Sequence, residues 1–366
     1  MNAAICGIGV VGGFGNGLPA LEKALTGGGI GSTKVAIPTR EGPVRVPCLI
    51  ADTAALADYV AAQGLRRMDH YIRLALLAAL EAMADADLLD KGRRGRLGII
   101  VATGNGPTAN HYAFQHPFAD KEEICGSPIR FANSVHNAAA AHLSIVLEEM
   151  GPNHSITHAD LAFPSALQTA MVWLRQRRVD TVLVGGVDAL SHAHAYAWHL
   201  HQQIPPCEPG GEAAADATPM AGEGACFLVL KAADTGSSAS YAVIREAGSG
   251  RIGIATPAAP KGNWYFLARN AGSDPRSDYA NWLPPGALCA CYARVYGDLP
   301  IDSAFDTAIA ALSLRRKRIY ADGSATQRTI AHESSADRSI VCLKKGAGRA
   351  YSWTILDVGA CHRERS

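Results

Sequence analysis

A duplicated segment of eleven residues constrains the fold of this 366-residue chain more than any other feature. DLAFPSALQTA (160–170) and DLPIDSAFDTA (298–308) share six identities at a constant offset of 138. Each follows a strand-like run and leads into an alanine-rich helical pattern that ends in a cluster of arginine and lysine. A short match can arise by chance, but the shared strand–turn–helix context predicts a duplicated half. In such a fold the two turns meet near the pseudo-twofold axis, so we expect Asp160 and Asp298 to face one cavity.

Strand and helix patterns alternate along most of the chain. Apolar runs such as RLGIIVATG and VDTVLVGGVDAL predict buried strands, while apolar residues at three- and four-residue spacing from Met68 onward predict a long helix. This alternation predicts a mainly parallel sheet covered by helices on both faces. The stretch ADTGSSAS predicts the boundary between an N-terminal half, residues 1–235, and a C-terminal half, residues 236–366.

Composition argues against several classes of partner. A net charge of +1 and a pI of about 7.6 provide no global attraction for nucleic acid or an anionic membrane. Short basic runs at 93–96, 175–178 and 315–318 are interpreted as helix-terminal cations, with docking of an acidic protein as the alternative. The nine cysteines form no C-x-x-C pair, and no apolar run reaches about 18 residues, so we expect a reduced, cytoplasmic protein without a membrane span.

Several motifs that suggest ligands have simpler interpretations. GIGVVG (Gly7–Gly12) fits a dinucleotide-binding pattern, but no acidic residue follows the second predicted strand, so we expect a glycine turn packed on a helix. The histidines of His192–His201 lack a carboxylate or cysteine at ligand spacing. We therefore expect a partly exposed or subunit-facing segment, and neither a metal nor a cofactor. We interpret His136, His142 and His158 as interior histidines.

The turn at Asp160 is the strongest candidate site. GPNHSITHADLAFPSA (151–166) has the pattern of a strand, a tight turn and a helix, with Asp160 at the bend. Such a bend is a favoured place for a nucleophile or an anion site. A carboxylate that accepts hydrogen bonds from nearby amides explains one aspartate. It explains less well why the equivalent turn carries Asp298.

Three longer stretches resemble the N-terminal half of β-ketoacyl synthases of the thiolase fold. They are NSVHNAAAAHLSIVLEEMGPNHSITHAD, VDTVLVGGVDALS and AGEGACFLVL, in this order. The resemblance covers residues 1–235 well and residues 264–345 faintly. It implies an α/β protein with a thiolase-like, five-layer α-β-α-β-α fold made of two duplicated halves, and it implies a dimer.

The resemblance also implies catalytic positions, and these are altered. Counting along the motifs places Asp160 at the nucleophilic cysteine, Asn270 at the first histidine and Asp298 at the second. The lysine upstream of the second histidine falls at Ala293 or Arg294, and ESSADRS stands where a glycine-rich loop is expected. An acyl-aspartate is a labile mixed anhydride, asparagine cannot shuttle a proton as imidazole does, and a carboxylate repels an enolate. These changes predict that the chain does not catalyse condensation by itself.

Non-condensing members of this family act as chain length factors in type II polyketide and aryl polyene systems. The resemblance, nearest to the aryl polyene type, implies a heterodimer, or a dimer of heterodimers, with an active ketosynthase whose acyl or polyene chain length this subunit sets. Acyl carrier protein would dock mainly on the partner. NGPTANHYAFQHPF is expected to be an interface loop whose His111, Tyr112, Phe114 and His116 close the partner's tunnel, with ordinary loop packing as the alternative.

Two other functions stay open from the sequence. Asp160 and Asp298 in one pocket would have separated pKa values and would catalyse decarboxylation or hydrolysis of a carrier-bound acyl group. Alternatively, the chain is a homodimeric scaffold that binds an acyl chain. Turnover of acyl-carrier protein identifies the first alternative, and a co-purified acyl chain identifies the second.

Overall fold

The computed structural model describes most of the chain. The described residues are 2–27, 30–119, 126–203, 220–233, 240–251, 264–268, 278–280, 282–321, 330–331, 339–346, 348 and 350–359. Within these ranges, no helix has both the length and the apolar character that a membrane crossing requires.

The strands and helices of these residues are numbered in chain order. The strands are β1 Ala3–Gly12, β2 Gly15–Asn16, β3 Thr33–Ile37, β4 Val44–Leu49, β5 Leu97–Thr103, β6 Asn153–Thr157, β7 Thr181–Asp188, β8 Ala221–Gly222, β9 Gly224–Ala232, β10 Ala242–Arg251, β11 Trp264–Leu267, β12 Leu288–Ala290, β13 Arg318–Ile319, β14 Ile330–Ala331, β15 Ser339–Lys345 and β16 Ala350–Val358. The helices are α1 Gly17–Leu25, α2 Ala62–Leu65, α3 His70–Asp85, α4 Thr108–Ala119, α5 Pro128–Asn133, α6 Ala138–Val146, α7 Ala162–Arg175, α8 His192–Gln203, α9 Ala293–Tyr296 and α10 Asp302–Arg316.

One mixed sheet contains most of the strands. The strand order is β6-β5-β7-β9-β1 in the N-terminal half and β12-β11-β15-β16-β10 in the C-terminal half. In both halves two parallel pairings are followed by two antiparallel pairings. An antiparallel pairing between β1 and β10 joins the halves. Because order and direction agree strand by strand, the structure confirms the expected duplication.

Two details of the sheet differ from the expectation or stay untested. The expectation of a mainly parallel sheet was wrong, because β9 and β16 run antiparallel to their neighbours on both sides. Strands that are buried on both faces read as apolar runs whatever their direction, so the sequence pattern does not reveal the reversal. The boundary between 235 and 236 falls among residues 234–239, which lie outside the described residues, and it stays a prediction.

Helices and side-chain clusters cover both faces of the sheet. α7 and α10, the helices that follow the duplicated segments, lie together in the central core. α3 and α6 cover the outer face of the N-terminal half, and a cluster around Trp282 covers that of the C-terminal half. Successive side chains of β5 point to opposite faces of the sheet. Ile100 and Ala102 lie in the central core, and Ile99 and Val101 lie in the outer core. These layers match the expected five-layer, thiolase-like fold.

α3 shows how local sequence and packing agree. The Asp69 carboxylate caps the helix by accepting a hydrogen bond from the backbone N–H of Ile72 at 2.9 Å. The helix lies so close to β1 that a Cβ atom at Gly9 would overlap the carbonyl oxygen of Ala78. Close packing against a helix is therefore confirmed for GIGVVG, but Gly7 and Gly9 belong to a strand and not to a turn.

The stretch between β5 and β6 differs most from its expected structure. Residues 108–119, expected to be a loop, form α4. Phe114 and Phe118 are one helical turn apart, and their ring centroids lie 5.4 Å from each other. Phe114 also contacts Phe131 of α5 at 5.5 Å. This aromatic contact stabilises a small helical lobe, which we call the α4–α5 lobe.

Candidate functional site

Asp160 lies at the bend between β6 and α7. β6 ends at Thr157, and a 3-10 turn, Ala159–Leu161, leads directly into α7. Ala159 has a φ of +42°, a left-handed conformation that is uncommon for residues other than glycine. Such strained residues persist only where the surrounding structure holds them, and they cluster at functional sites. The Asp160 side chain is 36% exposed.

Asp298 occupies the equivalent connection in the C-terminal half, between α9 and α10. Its backbone N–H donates to the carbonyl oxygen of Met220 at 2.8 Å, and its carbonyl oxygen accepts from the N–H of Gly222 at 3.3 Å. Gly297 precedes it with a φ of +91°, and a Cβ atom at Gly222 would lie 2.9 Å from the Gly297 Cα. The two glycines therefore allow the backbone contact that positions Asp298.

Asp160 and Asp298 both line one cavity of about 540 Å³. It lies beyond the carboxyl ends of the parallel strands β5, β6 and β7, where ligand sites of α/β sheets usually form. Its described lining residues are Asn105, Asp160, Asp188, Ala189, Leu190, His194, Ala197, Trp198, His201, Ala221, Gly222, Asp298, Leu299, Pro300, Lys345, Gly346 and Gly348. No cysteine is among these residues. Asn270 lies outside the described residues.

A lysine from the C-terminal half reaches Asp160. Lys344 Nζ lies 3.7 Å from Oδ1 of Asp160 and 2.9 Å from Oδ2 of Asp302, the first residue of α10. The Lys344 side chain is only 3% exposed. Burial alone would lower the pKa of Lys344, but the carboxylates of Asp302 and Asp160 outweigh it and raise that pKa. Lys344 therefore carries a positive charge between the two halves.

Two buried aspartates lie on successive turns of α10, next to Lys344. Burial raises the pKa of Asp302 well above its ordinary value, although the charge of Lys344 opposes this rise. Burial also raises the pKa of Asp306 to about 7, and its Oδ1 accepts a hydrogen bond from the Tyr296 hydroxyl at 2.8 Å. Lys344 cannot balance the charges of Asp160, Asp302 and Asp306 together. Protonation of Asp306 removes part of the excess negative charge.

Asp188, the last residue of β7, lines the cavity from the N-terminal half. Its carboxylate accepts hydrogen bonds from the Thr103 hydroxyl at 2.7 Å and from the backbone N–H groups of Gly104 at 3.1 Å and Asn105 at 2.9 Å. Burial raises its pKa to about 6, although the hydrogen bonds oppose the rise. Asp188 thus holds the turn that leads from β5 toward α4.

One face of α8 forms a wall of the cavity. His194, Trp198 and His201 follow each other at about one helical turn, so they share this face. The segment is partly exposed, as expected, but the expectation did not include its contact with the cavity. Burial lowers the pKa of His194, which favours the neutral imidazole. In the described part of the chain, no group of three histidines, cysteines or acids has a metal-binding arrangement.

The interpretation of three other histidines as interior residues was wrong for two of them. His136 and His158 are exposed, and His142 is half-buried. The Nδ1 atom of His158 lies 3.0 Å from the hydroxyl oxygen of Ser165. None of these histidines is among the described residues that line the cavity.

The four proposed tunnel residues lie on α4, away from the described cavity lining. His111, Tyr112 and His116 are exposed, and the exposed fraction of Tyr112 is 54%. Phe114 instead packs on the aromatic rings of its own lobe. Three of the four residues therefore lie at the surface, and Phe114 stabilises the α4–α5 lobe.

The C-terminal half contributes a glycine-containing turn and an unexpected lysine to the site. The turn after β15 contributes Gly346 and Gly348 to the cavity lining. The expectation that ESSADRS replaces a glycine-rich loop stays a prediction, because residues 333–338 lie outside the described residues. Ala293 and Arg294 lie on α9, where the resemblance places a lysine. The lysine near Asp160 comes from β15 instead.

Sequence reasoning missed Lys344, Asp302 and Asp188. A signal for Lys344 was available in SIVCLKK, an apolar strand that ends in two consecutive lysines. Successive side chains of a strand point to opposite faces, so one of the two lysines must point inward. The buried partner of that lysine, however, is determined by the packing of α10 against β15.

The duplicated mixed sheet and the position of its cavity define a thiolase-like ketosynthase fold. The chain belongs to the β-ketoacyl synthase family, since the family model for the N-terminal domain of β-ketoacyl synthases matches residues 3–236. The chain is 25% identical over 232 residues to 3-oxoacyl-(acyl-carrier-protein) synthase 2 of Staphylococcus aureus, a match that covers 60% of this chain and 57% of the relative. It is 26% identical over 190 residues to the chloroplastic 3-oxoacyl-(acyl-carrier-protein) synthase I of Arabidopsis thaliana, with coverages of 50% and 40%. The match therefore spans just over half the length of the first relative.

Solved structures show the same fold over nearly the whole chain. The ishigamide ketosynthase/chain length factor has a TM-score of 0.76 at 16% identity, covering 98% of this chain and 99% of that one. A β-ketoacyl synthase from Burkholderia phymatum STM815 also has a TM-score of 0.76 at 16% identity, covering 98% and 100%. AntDE:AntF, a type II polyketide synthase acyl-carrier protein in complex with its ketosynthase, has a TM-score of 0.72 at 16% identity, covering 98% and 99%. At this identity the likeness shows the fold.

Proposed function

We propose that this chain is a non-condensing subunit of the chain length factor type. It forms a heterodimer with an active β-ketoacyl-acyl-carrier-protein synthase and sets the length of the acyl or polyene chain that the partner makes. The observation that carries the proposal is the ion pair between Asp160 and Lys344 at the turn where the resemblance places a nucleophilic cysteine.

Asp160 is a poor acceptor for an acyl group. Acylation of its carboxylate would produce a mixed anhydride, whereas condensation needs an acyl-enzyme that survives until the second substrate arrives. The ion pair also stabilises the carboxylate before any reaction, because an attacking oxygen would give up charge that Lys344 attracts. The chemistry at position 160 therefore supports a role without acyl transfer.

The remaining carboxylates in the cavity oppose a condensation as well. Decarboxylative condensation passes through an enolate, whose negative charge needs hydrogen-bond donors or cations. Asn105 and Lys345 line the cavity as donors, but Lys345 is paired with Asp278 at 2.8 Å. Asp188 and Asp298 add carboxyl groups. Because the pKa of Asp188 is about 6, this residue is mostly ionised at neutral pH. A developing enolate in this cavity would meet repulsion.

The surface around β6 has the properties of a protein interface. β6 lies at the end of the sheet, and among the described strands it pairs with β5 alone. Because β5 and β6 are parallel, the α4–α5 lobe that follows β5 and the turn at Asp160 lie at the same edge of the sheet. Five large apolar side chains in this region are 39–57% exposed: Tyr112, Phe118, Ile129, Phe131 and Val135. An open strand edge beside exposed apolar side chains supports docking of a partner subunit.

Within this surface, Tyr112 is the best candidate for limiting chain length. It is 54% exposed on α4, so its ring is available to fill space in a partner's tunnel. An acyl chain and an aromatic ring cannot occupy the same volume, and close-packed interfaces leave little room for adjustment. In a reconstituted complex, Tyr112→Ala should therefore shift the products to longer chains. Mass spectrometry of carrier-bound products measures the shift.

Tyr59→Ala is the matched control for this experiment. Tyr59 is also an exposed tyrosine, at 39%, but it lies outside the α4–α5 lobe. Its replacement should leave the product distribution unchanged. An unchanged distribution in Tyr112→Ala, with the complex intact, would remove Tyr112 from the proposal.

Co-expression tests the proposed function directly. The chain is produced together with an active ketosynthase from the same organism, and the complex is examined by size-exclusion chromatography and native mass spectrometry. We expect a stable 1:1 pairing in a heterodimer or a dimer of heterodimers. A chain that stays monomeric, or that pairs only with itself beside this ketosynthase, contradicts the proposal.

A second measurement separates the proposal from the two alternatives. The purified chain is incubated with malonyl- and acyl-carrier protein, and adducts and products are followed by intact-protein mass spectrometry. Neither an acyl adduct nor turnover is expected. Turnover that Asp160→Asn abolishes would instead identify an aspartate-based decarboxylase or hydrolase, and a co-purified acyl chain on a homodimer would identify a scaffold.

A further inference from the structure

The surroundings of Asp160 are those of an occupied anion site. Lys344, at 3% exposure, donates a hydrogen bond to Asp302 at 2.9 Å, and its Nζ lies 3.7 Å from Oδ1 of Asp160 on the inner side of that carboxylate. The carboxylate itself is 36% exposed and lines the cavity. α7 begins at Ala162 without a side-chain cap, so the positive end of its dipole also faces this turn. A buried cation thus supports a negative charge at the wall of an open cavity.

We propose that Lys344 and the start of α7 form a carboxylate-binding site that the protein's own Asp160 occupies. The ligand class is short monocarboxylates, which bind when the Asp160 side chain is removed. In the intact protein Asp160 excludes them, so it acts as an internal competitor. The inference rests on the geometry of position 160 and holds with or without a partner ketosynthase.

Charge balance supports this assignment. A monocarboxylate bound to a variant without Asp160 replaces one negative charge by another at the same place, so Lys344 keeps both of its counter-ions. No additional charge enters the buried cluster. Without a ligand, the variant leaves Lys344 with its ion pair to Asp302 and the weaker attraction of Asp298, and the counter-ion at position 160 is missing.

The rest of the cavity determines which carboxylates fit. Asp188 and Asp298 line the same cavity as Asp160, so a second carboxylate on a ligand would enter a region that already contains acidic side chains. Like charges a few Å apart repel, and about 1.4 kcal/mol of repulsion weakens binding tenfold. We therefore expect acetate to bind at least about tenfold more tightly than malonate.

Two variants test the site, and each substitution removes a group of the same size as one of the ligands. Asp160→Gly removes a group of the size of acetate, and Asp160→Ala removes one of the size of formate. Thermal unfolding is measured in sodium acetate, formate, malonate and chloride at equal ionic strength, and binding is measured by titration calorimetry. We expect a saturable rise of the melting temperature with acetate for Asp160→Gly and with formate for Asp160→Ala. The wild-type protein should show no such rise.

Two further variants control for non-specific anion effects. Asp180→Gly removes an aspartate whose Oδ1 lies 2.8 Å from Nη2 of Arg96, in an ion pair whose two side chains are 51% and 61% exposed. The melting temperature of this variant should change by the same amount in acetate and in chloride. The double variant Asp160→Gly/Lys344→Met should lose the acetate response.

The outcomes distinguish this inference from the proposed function. A lack of acetate and formate binding in both folded single variants overturns the inference. A rise of the melting temperature in acetate that is equally large for Asp160→Gly and for the double variant overturns it as well. Neither result bears on whether the chain pairs with a ketosynthase, because co-expression measures that separately. Conversely, a chain that forms no heterodimer would leave the carboxylate site intact.

Discussion

The buried carboxyl group of Asp306 should make the stability of this protein depend on pH, and Asp306→Asn should remove that dependence. Asp306 is fully buried in α10, and its Oδ1 accepts a hydrogen bond from the Tyr296 hydroxyl at 2.8 Å. Asparagine has the same shape, and its carbonyl oxygen accepts the same hydrogen bond. It cannot ionise, so the substitution removes the titration and keeps the packing.

The size of the effect follows from the pKa of Asp306. Burial raises this pKa from the ordinary 3.8 to about 7, so the folded protein keeps a proton that the unfolded chain releases. The stabilisation from this proton is complete below the unfolded pKa, and it is lost as the pH rises through the folded pKa. One pKa unit corresponds to about 1.4 kcal/mol. Between pH 5 and pH 8 the wild-type protein should lose about 2 to 3 kcal/mol through Asp306.

Urea unfolding at several pH values measures this loss. Asp302 and Asp188 also have raised pKa values and contribute their own pH dependence to both proteins. The difference between wild type and Asp306→Asn measures the titration of Asp306 together with its coupling to Asp302, and it should grow by about 2 to 3 kcal/mol from pH 5 to pH 8 in favour of the variant. Asp58→Asn, at an exposed aspartate, is the control and should show no such growth. A constant difference across this range would refute the reasoning, because Asp306 would then titrate as an ordinary carboxylate.

Two further substitutions test the cavity's framework. Lys344→Met leaves the buried carboxyl group of Asp302 without its cation, so the free energy of unfolding at pH 8 should fall by about 3 to 5 kcal/mol. Because burial raises the pKa of Asp302, a falling pH favours its neutral form, so the loss should be smaller at pH 5. An equal loss at pH 5 and pH 8 would contradict the assigned ion pair. Gly222→Ala should cost about 1 to 3 kcal/mol, because its Cβ would lie 2.5 Å from the carbonyl oxygen of Tyr296. Gly31→Ala, where a Cβ meets nothing within 4 Å, should stay within about 0.5 kcal/mol of wild type in the same denaturation assay.

Local patterns predicted much of the architecture. The repeat of DLAFPSALQTA identified the two central helices, because a strand, a turn and a helix are each encoded by neighbouring residues. The duplicated order of the strands confirms that interpretation. The same pattern could not reveal that β9 and β16 are antiparallel, since direction depends on the path of the connections and not on the strand's own residues.

The helix α4 shows a different limit of local reasoning. Its sequence was expected to form an interface loop, yet Phe114 and Phe118 pair along a helix. Phe131, on the other side of a segment outside the described residues, completes the contact. Tertiary packing overrides weak local propensity, as it commonly does for short helices.

The candidate site, too, was predictable from the sequence only in part. The sequence alone determined that a carboxylate stands at each of two equivalent turns, Asp160 and Asp298, because turn position and residue type are local properties. Only the tertiary structure decided that Lys344 lies next to Asp160 and that Asp302 and Asp306 are buried behind it. Burial sets the energy of each of these charges, and burial depends on contacts between segments that are far apart in the chain. The role of Asp160 as the partner of a buried lysine therefore comes from the fold.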